Sequence, residues 1–413
     1  MTNREKEAIA GADKLALKLN RVSAYVKECY DYYEQKYTPI SAPTIVPEKF
    51  RPLIRVLGWA TQSVNTLANK LKFLRFANAD GADPFLFNEI FGYNEKDVLT
   101  DTLVLSALIS SCSFVYISAD TDGYPTLQAI DGGRATGVID PRTRLLKEGY
   151  AVLERDIYGK PTLFAYFAPD YTAYIDSAKK IVDWRENPTG IPLLVPVCYM
   201  PSEVKPFGRS RITRSSMATM RDASLILLRA HCAGEFYSFP QKYVTGLDPE
   251  LNFDEAKATY SSFLKLTQGE NGDKASFGQF QQGSMTPYLD DYKSKAAMFA
   301  SENDLTMGDL GFATDNPATR ESIEAAHEPL RSTAEKAQRN LGSGLKNAAY
   351  LAACLRDGQT YGRQILSDID CVWAPIFSYS PSTLSGMGDA VYKMQQAFPE
   401  FFTEEKLKRL TGL

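Results

Sequence analysis

The sequence reads as an α+β protein, with helical segments toward both ends of the chain and an antiparallel sheet module between them. Three observations carry this. Apolar residues recur at steps of three and four near the N-terminus (Leu15, Leu19, Val22, Val26), and helical patterning returns after Ser210. Between Ser113 and Val197 the texture changes to short β-rich runs separated by turns such as Asp122-Gly123 and Tyr158-Gly159, a strong hairpin signal. Strands and helices do not alternate at βαβ spacing, which disfavours a Rossmann-type nucleotide fold. With 413 residues and 45.9 kDa there is room for roughly two or three domains.

Residues 1–37 form the first predicted helix. A stretch punctuated by Pro39, Pro43, Pro47 and Pro52 follows, and helical patterning returns over Leu53–Leu74. Asn94–Ser110 is predicted helical. The sheet module contains Phe114–Ser118, Thr126–Ile130, Gly149–Arg155, Thr162–Phe167 and Thr172–Ile175. Ser210 is the expected N-cap of a helix reaching Tyr237. Its segment Ala223–Ala230 is apolar almost all round, apart from Ser224 and Arg229, so its own domain or neighbouring copies must bury it on more than one side.

Gln241–Thr245 reads as a strand, Asp254–Leu266 as a short helix, Gly269–Gly283 as a polar, glycine-rich stretch and Ser284–Tyr288 as a strand. Asp290–Asn303 is helical and Leu305–Asn316 a loop. Asn316 as N-cap and Pro317 at the first helical position open a long helix to about Leu355. Pro329 deprives Ala325 of its hydrogen-bond partner and predicts a kink. The tail to Leu413 is mostly helical.

Composition excludes several function classes. Lys plus Arg total 46 against 50 for Asp plus Glu, a net charge of −4, which argues against tight nonspecific grip on DNA. Only His231 and His327 are present, too few for a multi-histidine metal site. The six cysteines form no CxxC and read as buried free thiols in a reducing compartment. The first residues lack a secretory apolar core, and the long uncharged run Thr102–Ala119 reads as a helix end feeding a strand rather than a membrane span. No phosphate-binding GxxxxGK[ST] and no GxSxG occur. Gly342-Ser343-Gly344 follows no strand and reads as a helix-packing site. His231 beside Cys232 is no thiol–imidazole pair, because adjacent helical residues point apart. No catalytic constellation, metal site or cofactor is implied.

Two charge features remain. Lys205, Arg209, Arg211 and Arg214 surround Pro206-Phe207-Gly208; they are either a solvated helix start or a contact with a partner or phosphates, since cations there oppose the helix dipole. Across Asp290–Glu324, eight acids stand against three bases, a local balance of −5 that repels DNA.

The run Pro206-Phe207-Gly208-Arg209-Ser210-Arg211-Ile212, the helix after it, and Phe239–Gly246 resemble the central region of tailed-bacteriophage portal proteins (head–tail connectors, siphophage type). The order helix, loop, then Asn316-Pro317-Ala318-Thr319-Arg320-Glu321-Ser322 opening a long helix is similar to that family as well. The resemblance implies a structural, non-enzymatic ring, usually of twelve subunits, at one capsid vertex of the virion, made in the host bacterial cytoplasm. It implies a channel for DNA packaging and ejection, with terminase, a head–tail adaptor protein and major capsid or scaffolding protein as partners, double-stranded DNA passing through, and no membrane.

Carried over, the resemblance divides the chain into a wing (1–205), a first stem helix (206–238), a clip (239–289), a second stem helix (290–304), a tunnel loop (305–316), a long kinked helix (317–356) and a short helical crown (357–413). Met307, Asp309 and Phe312 would then face DNA, and Lys205, Arg209, Arg211 and Lys242 would dock partners. Two other readings remain: a soluble hydrolase or transferase whose carboxylates converge only in the fold, and a non-viral oligomeric scaffold.

Overall fold

Thr2 and Glu5 start the first helix with a capping box: the Thr2 hydroxyl accepts the Glu5 N–H, and the Glu5 carboxylate accepts the Thr2 N–H at 2.7 Å. In this computed structural model, which describes residues 2–38, 46, 48–238, 242–245, 276–279, 283–312, 320–377 and 381–397, α1 (Asn3–Tyr33) is followed by α2 (Trp59–Ala68), β1 (Phe73–Ala77), α3 (Phe87–Tyr93) and α4 (Lys96–Ser110). Strands β2 (Cys112–Ala119), β3 (Pro125–Ile130), β4 (Ala135–Ile139), β5 (Leu146–Arg155), β6 (Pro161–Phe167), β7 (Tyr171–Asp176), β8 (Ile181–Glu186) and β9 (Leu194–Cys198) come next. After them run α5 (Arg214–Ser238), β10 (Lys242–Thr245), β11 (Ser276–Gln279), α6 (Thr286–Glu302), α7 (Arg320–Ala326), α8 (Glu328–Asp357), β12 (Asp370–Trp373) and α9 (Pro381–Ala397).

The chain divides into two units. Met1–Tyr37, Gly58–Met217 and Ala300–Leu413 make the first; Thr38–Leu57 and Ala218–Phe299 make the second. In the first, β4-β5-β6-β7-β8 form an antiparallel meander and β3-β2-β9 a second antiparallel sheet. The stripe Ala8, Ala12, Leu15 and Leu19 of α1 packs on Tyr150, Val152, Tyr166, Tyr171 and Ile175 of the meander. Each buried leucine there contributes about 2 kcal/mol by leaving water. Strand β9 is buried along its whole length, because α8 lies directly on it. Gly344 makes that approach close: a Cβ there would sit 2.8 Å from Val197 Cα. The Gly342–Gly344 run is therefore a packing surface, as its sequence context suggests.

In the second unit, Leu228 and Cys232 of α5 pack with Val46 and Phe50, and β10 pairs antiparallel with β11, Lys242 opposite Gln279. Residues 254–266, Asn316 and Pro317 lie outside the described residues.

Several predicted elements change. The helix expected over Leu53–Leu74 is shorter; Phe73 and Leu74 belong to β1, which pairs with β12 across the chain, a long-range contact invisible to local periodicity. Ser284–Tyr288 is no strand, since α6 begins at Thr286. Ser276–Gln279, inside the glycine-rich stretch, is a strand. The N-cap of α5 is Thr213, whose hydroxyl accepts the Ser216 N–H at 3.0 Å; Ser210 instead accepts the Ile212 N–H. Pro329 does more than kink a helix. His327 breaks the helical run, and Pro329 falls in the first turn of α8, where its missing N–H costs nothing.

Candidate functional site

The segment from Asn303 to Phe312 follows α6, and a buried polar node fixes its start. Asn303 is buried; its Oδ1 accepts from the Ser63 hydroxyl of α2 at 3.0 Å, and its Nδ2 donates to the Ser216 hydroxyl of α5 at 3.1 Å. Arg211 completes the node. Its side chain is 3% exposed, its Nε donates to the Ser63 carbonyl at 2.9 Å, and its terminal nitrogen donates to the Asn303 carbonyl. Asp304, at φ +53°, turns the chain and accepts from the Thr333 hydroxyl of α8 at 2.9 Å. Three helices thus hold the base of the loop.

Beyond it, Leu305 is buried, Met307 is half-buried, and Gly308–Leu310 form one 3-10 turn. Gly311 at φ +84° closes the turn, and the half-buried Phe312 donates its N–H to the Met307 carbonyl at 3.1 Å. Asp309 is not a free carboxylate. Its Oδ2 accepts the Thr306 N–H at 2.8 Å and the Thr306 hydroxyl at 2.9 Å, and its carboxylate lies 3.4 Å from His327 Nε2. Burial pushes its pKa up, but the Thr306 bonds and His327 outweigh this and hold it below the usual carboxylate value. His327 Nδ1 faces the Ile323 carbonyl at 2.8 Å, so the ring caps the end of α7. With Nδ1 donating there, Nε2 carries a hydrogen toward Asp309 only in the doubly protonated ring.

The expected docking cations separate. Lys205 and Arg209 are exposed on the loop that follows β9. Gly208 shapes that loop: it sits at φ +82°, and a Cβ would lie 2.0 Å from the Tyr199 carbonyl oxygen. Arg211 is corrected from docking residue to internal support, because its guanidinium is buried on backbone carbonyls. Lys242 opens β10 in the second unit.

Sequence reasoning missed Ser63, Asn303, Asp304, Ser216 and Thr333. Asn303-Asp304 directly after a helix was a readable turn signal; the others are joined only by the fold. Among the described residues no cluster of three His, Cys, Asp or Glu side chains could hold a metal ion, and no helix is long and apolar enough to cross a membrane. Exposed His231 stands edge-on to Phe50, centroids 6.4 Å apart. The six cysteines are free thiols, five of them buried.

No family model matches the chain. Over 384 residues it is 22% identical to the portal protein of Mycobacterium phage D29, and over 388 residues 22% identical to that of Mycobacterium phage L5. Each alignment covers 88% of this chain and 77% of the relative. The chain is related to phage portal proteins. That relationship spans both units rather than one shared module. Among solved structures, it is similar to a chain in the neck of a native GTA particle computed with C12 symmetry (TM-score 0.47, 12% identity, 91% of this chain and 95% of that one). It is also similar to one in the neck of an empty GTA particle computed with C6 symmetry (TM-score 0.41, 13% identity, the same shares).

Proposed function

We propose that the protein is the portal subunit of a tailed phage: a structural, non-enzymatic component that assembles into a closed ring, of twelve copies by the family pattern, at one capsid vertex. The observation that carries this reading is the relationship to two phage portal proteins over 88% of the chain. On this reading DNA enters and leaves through the ring, with terminase and then an adaptor docking on its clip. The seven-part division of the chain, from wing to crown, belongs to the same proposal.

The geometry of residues 303–312 supports a tunnel-loop role. Its base is locked by Arg211, Asn303 and Asp304, while its tip is a short glycine-closed turn bearing Met307 and Phe312. A segment rigid at its root and small at its tip suits a constriction that DNA must slide past. Lys205 and Arg209, exposed on one loop, suit partner docking.

Native mass measurement of the purified chain with negative-stain microscopy tests this. Twelve copies of 45.9 kDa give about 551 kDa, and a ring with a central hole is expected. A compact dimer or tetramer without a channel overturns the reading.

A further inference from the structure

A cleft in the first unit lies between α8, β9, the β4–β5 turn and the loop after β9. Its volume is about 150 Å³, room for about five waters at ~30 Å³ each. Pro196, Pro201 and Pro206 line part of it and offer no N–H. Arg144 and Arg339 also line it, with Asn340, Ser343 and Asn347. No lining residue is acidic. Neither arginine side chain has an ion-pair or hydrogen-bond partner among the described residues, although both are exposed at the rim.

Asn347 is buried, and its Oδ1 accepts from Arg363 at 3.2 Å, which leaves Nδ2 without a protein acceptor. The same Arg363 nitrogen donates to the Thr143 carbonyl at 3.1 Å, so Arg363 ties the β4–β5 turn that carries Arg144 to the helix that carries Arg339. The turn and the helix that carry the two unpaired guanidinium groups are therefore tied together by an internal brace. Lys205 and Arg209, beside Pro206, add exposed positive charge on the same loop; Glu203, the acid of that loop, does not line the cleft.

We infer that this cleft binds one phosphate-class oxyanion, with Arg144 and Arg339 as its charged clamps and Asn347 Nδ2 and the Ser343 hydroxyl as neutral donors. Planar guanidinium groups match oxyanions with paired N–H donors, and a cavity of this size takes a single such group. The anion is either free inorganic phosphate or the phosphate of a phosphodiester. The inference does not depend on the portal reading.

The test uses the full chain, with inorganic phosphate titrated against chloride at matched ionic strength and binding read by calorimetry and thermal shift. Phosphate is expected to stabilise the wild type beyond chloride. Arg144→Gln and Arg339→Gln should each weaken phosphate by about tenfold or more, while Arg142→Gln, an exposed neighbour outside the cleft, leaves it unchanged. A short single-stranded oligonucleotide is the second probe. If it binds, is displaced by phosphate and is lost in the same variants, the natural source is a phosphodiester; if it is not, free phosphate is the ligand. No preference for phosphate over chloride, or equal binding by the cleft variants and the wild type, overturns the site.

Discussion

Arg211 and Asp309 are charged side chains in polar, turn-rich sequence, yet both act inside the fold. Arg211 satisfies the Ser63 and Asn303 carbonyls, so its loss orphans buried acceptors. Arg211→Ala should lower stability by about 3 kcal/mol, whereas Lys205→Ala and Arg209→Ala stay within about 0.5 kcal/mol. Chemical denaturation of the three variants checks this; equal, small effects would return Arg211 to the surface. Asp309 makes a pH-dependent contribution of definite sign. Its native pKa is depressed, so its stabilisation is fully present above the unfolded value of about 3.9 and is lost as pH falls through the lower native value. Stability curves of the wild type and Asp309→Asn should therefore stay separated at about pH 5 and converge in stronger acid. A separation unchanged to about pH 2 would show that Asp309 is unpaired in the native state.

At the level of elements, the start of α5 shows how local geometry chooses among equivalent residues. Ser210, Thr213, Ser215 and Ser216 all carry cap-forming hydroxyls, but only Thr213 has its hydroxyl on the N–H three residues ahead. Thr213→Ala should cost about 1 kcal/mol and expose the Ser216 amide to faster hydrogen exchange, while Ser210→Ala leaves that amide protected. The reverse result would move the cap to Ser210. The same contrast explains what the sequence could and could not reveal. The β2–β3 and β5–β6 hairpins were readable because each is closed by a local turn, at Gly123 and Gly159, both at positive φ, whereas β4 and β8, the outer strands of the meander, were not among the expected runs. Strand β1 was not, because Phe73 pairs with Trp373, 300 positions away, and nothing near Phe73 announces that partner. The candidate loop divides the same way. Its two glycines and the Asn303-Asp304 turn were visible, whereas the Asp309–His327 contact joins residues that only tertiary folding brings together.

For the whole molecule, the proposed ring and the proposed channel depend on different parts of the chain. Contacts between copies require large surfaces, while a constriction requires a loop tip that changes without disturbing them. Within the candidate loop, the residues that hold the root are distinct from those of the turn beyond it. Met307 and Phe312 are joined to each other through Phe312 N–H and the Met307 carbonyl, whereas Arg211, Asn303, Asp304 and Thr333 hold the root. Asp309 is a poor probe of DNA contact, because its carboxylate already organises the turn through Thr306. Met307→Ala combined with Phe312→Ala is the cleaner one: it trims the tip and leaves every polar anchor in place. Rings of unchanged mass are expected from this double variant, together with impaired DNA packaging or retention in reconstituted particles. Lost rings, with normal packaging by those that remain, would mean instead that the tip is a contact between copies, and the channel lining would have to be sought on another segment.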